Sequence, residues 1–166
     1  MVRGRWSKVD GQWSMVDGQW SKVEGRRSAT AGTLRAFCDA MKAKTLDEVI
    51  VYQEAHAAAE AISAILSRPV FGKDFDLKDQ LSRSSARIAP LIAEGFGQLT
   101  DRHLATYLGR ARGSALETHG HLQRALSKQY IAPSEFCDLA GRYVTIGKRL
   151  TRWINYLQRS DWKQRG

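Results

Sequence analysis

Apolar residues recur at intervals of three and four along most of the chain, and this spacing constrains the fold more than any other feature of the sequence. An α-helix has 3.6 residues per turn, so residues at these intervals lie on one helical face. The pattern is longest in two segments, where it follows a heptad repeat. The first contributes Leu104, Leu108, Ala111, Ala115, Thr118, Leu122 and Leu126. The second contributes Phe136, Leu139, Tyr143, Ile146, Leu150, Ile154 and Leu157. Both segments are predicted to be long amphipathic helices that pack through these faces.

A shorter helix is predicted before them, beginning at the sequence Thr45-Leu46-Asp47-Glu48. This sequence matches a capping box, in which the Thr45 hydroxyl accepts from the third helical amide and the Glu48 carboxylate accepts from the Thr45 amide. The apolar face that follows consists of Leu46, Val49, Tyr52, Ala55, Ala59, Ile62 and Leu66. The pair Arg68-Pro69 is predicted to end this helix.

The next predicted helix carries an internal proline. Its inward residues are Leu77, Leu81, Ser84, Ile88, Leu91 or Ile92, and Phe96. Pro90 has no N–H group and leaves the carbonyl of Ala86 without its helical partner, which predicts a kink. Gly95 and Gly97 are predicted to stop the helix.

Capping residues separate the four helices. Asp74 or Asp76 can cap the second helix, and Thr100 can cap the third. Pro133 suits the first position of the fourth. No segment shows the period-two alternation of a strand. The sequence therefore predicts an all-α fold, an antiparallel up-down-up-down four-helix bundle with short loops, over residues 45–160.

Two glycines lie four residues apart in the third predicted helix. Gly109 and Gly113 each cost about 1 kcal/mol relative to alanine in a helix interior. A compensating close backbone contact is therefore predicted, either between helices of the bundle or between subunits.

A seven-residue unit is repeated at residues 6–12, 13–19 and 20–26, before the predicted bundle. The glycine in every unit disfavours a coiled coil. The Asp-Gly pairs could close small hairpins, although isolated hairpins are marginally stable. Residues 1–44 are interpreted as a low-complexity, disordered tail without function. A repeat of seven codons upstream of the true start would explain the pattern, with Met41 as the natural initiator.

Composition narrows the class of protein. The chain has 26 Lys and Arg against 17 Asp and Glu, a net charge of +9, which favours an anionic partner such as nucleic acid. Its two cysteines form neither a disulfide framework nor a zinc motif, which favours a reducing cytoplasm. No apolar run has the length of a membrane span.

The sequence contains no cofactor motif, so no cofactor is predicted. Glu117 and His121 share a helical face, but no further metal ligands lie near them in the sequence, so no metal site is predicted. The end of the chain, residues 161–166, is predicted to be flexible.

The fourth predicted helix carries the clearest candidate binding surface. Its basic residues are Arg142, Lys148, Arg149, Arg152 and Arg159. No acidic residue lies between Asp138 and Asp161, and at 100° per residue the basic residues fall in one sector away from the apolar face. This surface is predicted to bind the phosphates of RNA or DNA. The alternative is a solvated helix face without a ligand.

A second basic group lies on the second and third predicted helices. Its members are Arg83, Arg87, Arg110 and Arg112. Arg112 and Glu117 lie among small residues, so they are predicted to form structural ion pairs or subunit contacts first and to contact nucleic acid only second.

Three sequence motifs resemble those of a known family. They are Val51-Tyr52-Gln53-Glu54-Ala55-His56, the set Gln80, Arg83 and Ile92-Ala93-Glu94-Gly95, and Ala111-Arg112-Gly113-Ser114 with Glu117. Together they resemble the bacterial four-helix-bundle family of 23S rRNA-intervening-sequence proteins, whose relatives include the accessory protein of diversity-generating retroelements. The chain departs from the family pattern at Pro90, which is shifted by one position, and at Leu91, where asparagine is usual.

The resemblance implies a ring-shaped homopentamer of four-helix protomers without a known catalytic activity. It implies oligomer or packing roles for residues in the second and third helices. These are Arg83, Glu94, Gly95, Gly109, Arg112, Gly113 and Glu117.

Three functions are compatible with these patterns. The first is a non-catalytic, oligomeric protein that binds RNA or another nucleic acid through a basic face. The second is an accessory subunit that binds a retroelement reverse transcriptase and its RNA. The third is a bundle ribonuclease using Arg112 and His119, whose spacing resembles the Arg-x(4–6)-His pattern of the HEPN ribonucleases.

Overall fold

The computed structural model describes residues 13–16, 19–22 and 43–163, with side chains in the last helix up to Arg159. The chain divides into two compact units, Met1–Arg35 and Ala36–Gly166. In the first unit, strand β1 (Trp13–Val16) pairs antiparallel with strand β2 (Gln19–Lys22), with Met15 opposite Trp20. The dipeptide between the strands in the sequence is Asp-Gly, which favours two-residue hairpin turns. The proposed start at Met41 lies outside the described residues.

The second unit is built from helices in the part that the structure describes. They are α1 (Ile50–Leu66), α2 (Phe75–Ala86), α3 (Ile88–Phe96), α4 (Asp101–Ser127) and α5 (Pro133–Lys163). Short 3-10 turns at Leu46–Glu48 and Pro69–Lys73 precede α1 and α2. Because α2 and α3 are two halves of one interrupted helix, the prediction of four helices is confirmed. None of the described helices is long and apolar enough to cross a membrane.

One core runs between the helices. α1 packs against α2, α3 and α5, and α4 packs against α2, α3 and α5. The predicted apolar faces are the buried faces, with Leu108, Leu122 and Leu150 fully inaccessible. The heptad spacing also missed core residues on every long helix, including Ile65 of α1 and Trp153 of α5.

The interruption predicted for the second helix is present. α2 ends at Ala86, Arg87 leaves the regular helix, and α3 begins at Ile88, two residues before Pro90. Pro90 has no N–H to donate to the Ala86 carbonyl, which accounts for the break. The helical pattern resumes when the Leu91 amide donates to the Arg87 carbonyl at 3.2 Å.

The predicted capping box at the start of α1 is wrong. The Thr45 hydroxyl makes no capping hydrogen bond, and Glu48 Oε2 accepts instead from the Lys44 amide at 2.7 Å. The reason is that Leu46–Glu48 forms a separate 3-10 turn, which extended Val49 divides from α1.

The later caps agree with the sequence. Asp74 Oδ1 accepts from the Leu77 amide at 3.2 Å, and the Thr100 hydroxyl accepts from the His103 amide at 3.3 Å. Pro133 is the first residue of α5.

Polar side chains join α2 and α4 inside the core. The hydroxyls of Ser84 and Thr118 share a buried hydrogen bond of 3.0 Å, and the Thr118 hydroxyl lies 2.8 Å from the Ser114 carbonyl oxygen. The Tyr143 hydroxyl is buried beside Ser85 without a hydrogen bond of normal geometry, and burial raises its pKa. Among the residues that the structure describes, the buried core is therefore apolar apart from this group of hydroxyls on α2, α4 and α5.

Ion pairs tie the elements together at the end of the bundle where α1 leads into α2 and α4 leads into α5. Arg68, after α1, pairs with Glu135 at the start of α5 at 2.5 Å. Lys128, after α4, pairs with Asp74 before α2. Glu135 Oε2 also accepts from the Ala132 amide at 2.9 Å, as the third residue of a helix often does for the residue before it.

Replacing Glu135 by glutamine is expected to destabilise the protein by roughly 1 kcal/mol at pH 7, because a solvent-screened ion pair and a capping contact are weakened together. Arg68 and the Ala132 amide lower the pKa of Glu135 from 4.5 to about 2. A depressed pKa gives stability that is present above about pH 4.5 and is lost as the pH falls towards 2. Urea unfolding of both proteins should therefore show a difference at pH 7 that shrinks by pH 3. An undiminished difference at pH 3 would contradict the assignment.

Candidate nucleic-acid interface

The structure separates the five predicted basic residues of α5 into two sets. Arg149 is half-buried, and its Nε lies 2.8 Å from Glu54 Oε2 on α1. Arg142 pairs with Asp138, one turn earlier, at 2.9 Å. Glu54 on α1 and Asp138 on α5 therefore neutralise two of the five basic residues. The part of the α5 surface that has basic residues without nearby acids is narrower than the sequence indicated.

The remaining three residues form a line on the outside of α5. Lys148, Arg152 and Arg159 are exposed and make no ion pair with any acid in the described part of the chain. At 100° and 1.5 Å per residue they lie within about 40° of one another, with rises of about 6 and 10 Å between them. We call these three residues the basic row.

A further exposed basic residue lies near the start of α4. A cleft of about 250 Å³ lies between the first turns of α4 and the late turns of α5. Its lining includes Arg102 of α4 and Gln158 of α5, the residue next to Arg159. Arg102 is exposed and has no ion pair among the described residues. The sequence did not single out Arg102, because it is separated from α5 by some fifty positions.

The glycines predicted to mediate close packing behave differently from one another. A Cβ atom at Gly95 would lie 2.9 Å from Tyr107 Cβ and 3.1 Å from Leu104 Cδ1, so α3 and α4 approach closely there. Gly95 lies inside α3, and Gly97 ends that helix with ordinary right-handed backbone. Gly95 therefore lies where α3 and α4 pack closely, and its predicted role as a helix stop is wrong.

Gly109 and Gly113 make no close contact within the protomer. Nothing lies within 4 Å of a Cβ atom at either position, and both residues are exposed. They share the outer side of α4 with Gly120 and with Leu116, whose exposed fraction is 61%. We call these four residues the glycine face. The predicted contact within the bundle is therefore wrong for this pair, and a contact between subunits stays a prediction.

The other predicted contact residues lie at the surface. Arg83 pairs with Asp79 of its own helix at 3.0 Å, and Glu117 lies 3.8 Å from His121 Nε2. Glu94 and Arg112 are exposed. Arg112 and Glu117 therefore do not pair with each other in the protomer.

The rest of the second basic group is also at the surface. Arg87 is exposed at the helix break. The Arg110 guanidinium lies 5.5 Å from the centroid of the Tyr107 ring, in a cation–π contact.

The residues of the ribonuclease hypothesis do not converge in the protomer. His119 packs edge-on against Phe136 with 5.9 Å between ring centroids, and Arg112 is exposed two turns earlier on α4, about 10 Å away along the axis. Among the described residues, no three His, Cys, Asp or Glu side chains lie together as metal ligands would.

Comparison with known proteins places this geometry in context. A model of the 23S rRNA-intervening sequence protein family matches residues 47–152, which covers α1 through most of α5. Among solved structures, the chain is similar to a protein of unknown function from the S23 ribosomal protein family of Bacteroides thetaiotaomicron. The two are 23% identical, with a TM-score of 0.60 over 63% of this chain and 98% of that chain. No curated protein matches the chain.

Proposed function

Because the chain belongs to the family of 23S rRNA-intervening sequence proteins, we propose that it is a non-catalytic, homo-oligomeric protein that binds RNA or another nucleic acid through the basic row. The observation that carries this proposal is the line of Lys148, Arg152 and Arg159, exposed on one side of a 31-residue helix and without an ion pair to any acid that the structure describes. A rigid helix holds these charges at fixed spacing, as phosphate recognition requires.

The grouping of the basic row on one helix face supports binding over simple solvation. Elsewhere some basic side chains, such as Arg83, are matched by acids, and others, such as Arg87, are exposed without an ion pair among the described residues but do not share one helix face with further free cations. The basic row lacks such acids, although the same helix supplies Asp138 to Arg142. Like charges on one helix face repel each other, and binding of an anionic partner removes this repulsion.

The experiment that tests this function measures binding of a labelled single-stranded RNA by fluorescence anisotropy at two salt concentrations. Three phosphate contacts predict that affinity falls about 20–40-fold between 50 and 200 mM salt. The absence of binding at 50 mM, or binding that salt does not change, would overturn the proposal.

We further propose an up-down-up-down topology and a ring-shaped homopentamer, with the glycine face in the subunit contact. The ion pairs support the topology, since Arg68 after α1 reaches Glu135 at the start of α5 and Arg149 in the middle of α5 reaches Glu54 in α1. The glycine face supports the contact. Its glycines have no compensating neighbour within the protomer, and Leu116 leaves apolar surface in water.

Light scattering is expected to give the wild type a mass near five times 18.6 kDa. Gly113→Trp should shift it towards the monomer without unfolding it, because the space around Gly113 is open in the protomer. Ser63→Trp, at an exposed position on α1, is the matched control and should leave the mass unchanged. A wild type that is monomeric, or a Gly113→Trp protein with unchanged mass, would contradict the proposed contact.

A second candidate function is an accessory subunit for a retroelement reverse transcriptase and its RNA. Exposed apolar surface outside the glycine face, such as Val144, favours it, because a protein partner could cover this surface while RNA occupies the basic row. Co-purification with such an enzyme would distinguish this role from RNA binding alone.

A further inference from the structure

An aromatic ring is exposed beside the basic row. Tyr156 lies on α5 one helical turn after Arg152 and three residues before Arg159, so both cations are its neighbours on the helix surface. It projects about 40° around the helix from Arg152 and about 60° from Arg159. Its exposed fraction is 42%. The ring therefore borders the basic row on the outside of α5 and is open to solvent.

The other aromatic residues of α5 whose side chains the structure describes belong to the core. Tyr143 and Trp153 are buried, and Phe136 packs against the core from a partly buried position. Tyr156 is the ring in this group that faces outward. A single exposed ring on a protein surface is ordinary by itself. What distinguishes Tyr156 is its place beside cations that have no ion pair among the described residues.

A row of cations bordered by an aromatic ring combines the two contacts that a single-stranded nucleic acid can make. The cations attract the phosphates, and the flat face of the ring can stack on a base. More than half of Tyr156 is covered by the protein, which restricts the ring before any ligand arrives. A tyrosine also has only two side-chain torsions, so little conformational entropy is lost when a base stacks on it.

We propose that the Tyr156 ring stacks on one base of a single-stranded nucleic acid whose phosphates contact the basic row. This inference rests on the proposed function and adds the form of the ligand to it. In a duplex each base is covered on both faces by its neighbours, whereas an unpaired strand can turn a base outward onto an aromatic side chain. The partner is therefore a single strand rather than a duplex.

The test measures affinity by anisotropy at 50 mM salt for three ligands of equal length: a single-stranded RNA, an abasic strand with the same ribose–phosphate backbone, and an RNA duplex. The wild type is expected to bind the base-bearing strand about tenfold more tightly than the abasic strand, as stacking of one base would give. Tyr156→Leu keeps apolar bulk but removes the flat ring, and should abolish that difference while leaving abasic binding unchanged. Tyr156→Phe retains the ring and should keep the difference.

The matched control is Phe75→Leu, which removes another exposed ring. Phe75 follows Asp74, whose ion pair with Lys128 places it at the end of the bundle where α5 begins. Tyr156 lies about 35 Å further along that helix. Phe75→Leu should therefore keep the difference between the two strands. Thermal unfolding of each variant checks that the fold is retained.

The outcomes separate this inference from the function beneath it. Equal, salt-dependent affinity of the wild type for base-bearing and abasic strands would overturn the stacking role and leave phosphate binding standing. Tighter binding of the duplex than of the single strand would also overturn it. Equal weakening of both single strands by Tyr156→Leu would show that Tyr156 supports the basic row and does not contact a base. If no ligand binds at 50 mM salt, the proposed function fails as well.

Discussion

Replacing Gly95 by valine is expected to lower the free energy of unfolding by about 2–3 kcal/mol, because the new side chain has no space between α3 and α4. The nearest atom to a Cβ at this position is Tyr107 Cβ at 2.9 Å, which is fixed to the backbone of α4 and cannot rotate away. Leu104 Cδ1, at 3.1 Å, can move only by displacing its own neighbours. The helices must therefore separate to accommodate the substitution.

The matched control is Gly141→Val on α5, where nothing lies within 4 Å of the added Cβ. That substitution should leave stability nearly unchanged or slightly raised, because valine is a better helix former than glycine. Thermal unfolding should show the Gly95 variant melting roughly 6–15 °C below the wild type and the Gly141 variant near it. Equal melting temperatures for the two variants would mean that α3 and α4 do not approach closely at Gly95.

Reversing the basic row is expected to lower affinity for single-stranded RNA by at least about a hundredfold at 100 mM salt. The triple variant Lys148→Glu, Arg152→Glu and Arg159→Glu removes three phosphate contacts and adds repulsion at each. The dependence of log affinity on log salt should also become shallower by about 2–3. These three side chains are exposed and make no ion pair in the described residues, so folding should be little affected.

The control for net charge is a triple variant at Lys73, Lys78 and Arg87, each replaced by glutamate. It changes the charge of the protein by the same amount at positions on or before α2 and at the helix break. An affinity much closer to that of the wild type is expected, since only long-range attraction is reduced. If the two triple variants weaken binding equally, the protein attracts RNA through its net charge and the basic row is not a site.

The sequence predicted the helices well because their signals are local. The faces that contain Leu108, Leu122 and Leu150 follow from spacing along one helix, and the break before Pro90 follows from one missing N–H group. The cap at the start of α1 was harder to predict. Thr45 can precede either an α-helix or a 3-10 turn, and the choice depends on how Val49 packs into the core.

The site could be predicted only in part because it depends on the alignment of different helices. From the sequence, Arg149 was predicted to have no acid near it, whereas in the structure its Nε lies 2.8 Å from Glu54 Oε2 on α1. Likewise, the rule that a helical glycine needs a compensating contact selected Gly109, whereas the close contact within the protomer is at Gly95. Both distinctions require knowledge of which residue of one helix lies beside which residue of another.

Two hydroxyl groups favour one alignment between α2 and α4. The leucines and alanines of the heptad pattern are similar from turn to turn, so apolar contacts alone would tolerate a slide of one turn, about 5.4 Å. Such a slide would move Thr118 away from Ser84 and remove the hydrogen bond between the helices, at about 1 kcal/mol, although each hydroxyl would keep a carbonyl acceptor on its own helix. The hydrogen bond between Ser84 and Thr118 therefore favours one alignment of α2 and α4 over the others that the leucines alone would accept.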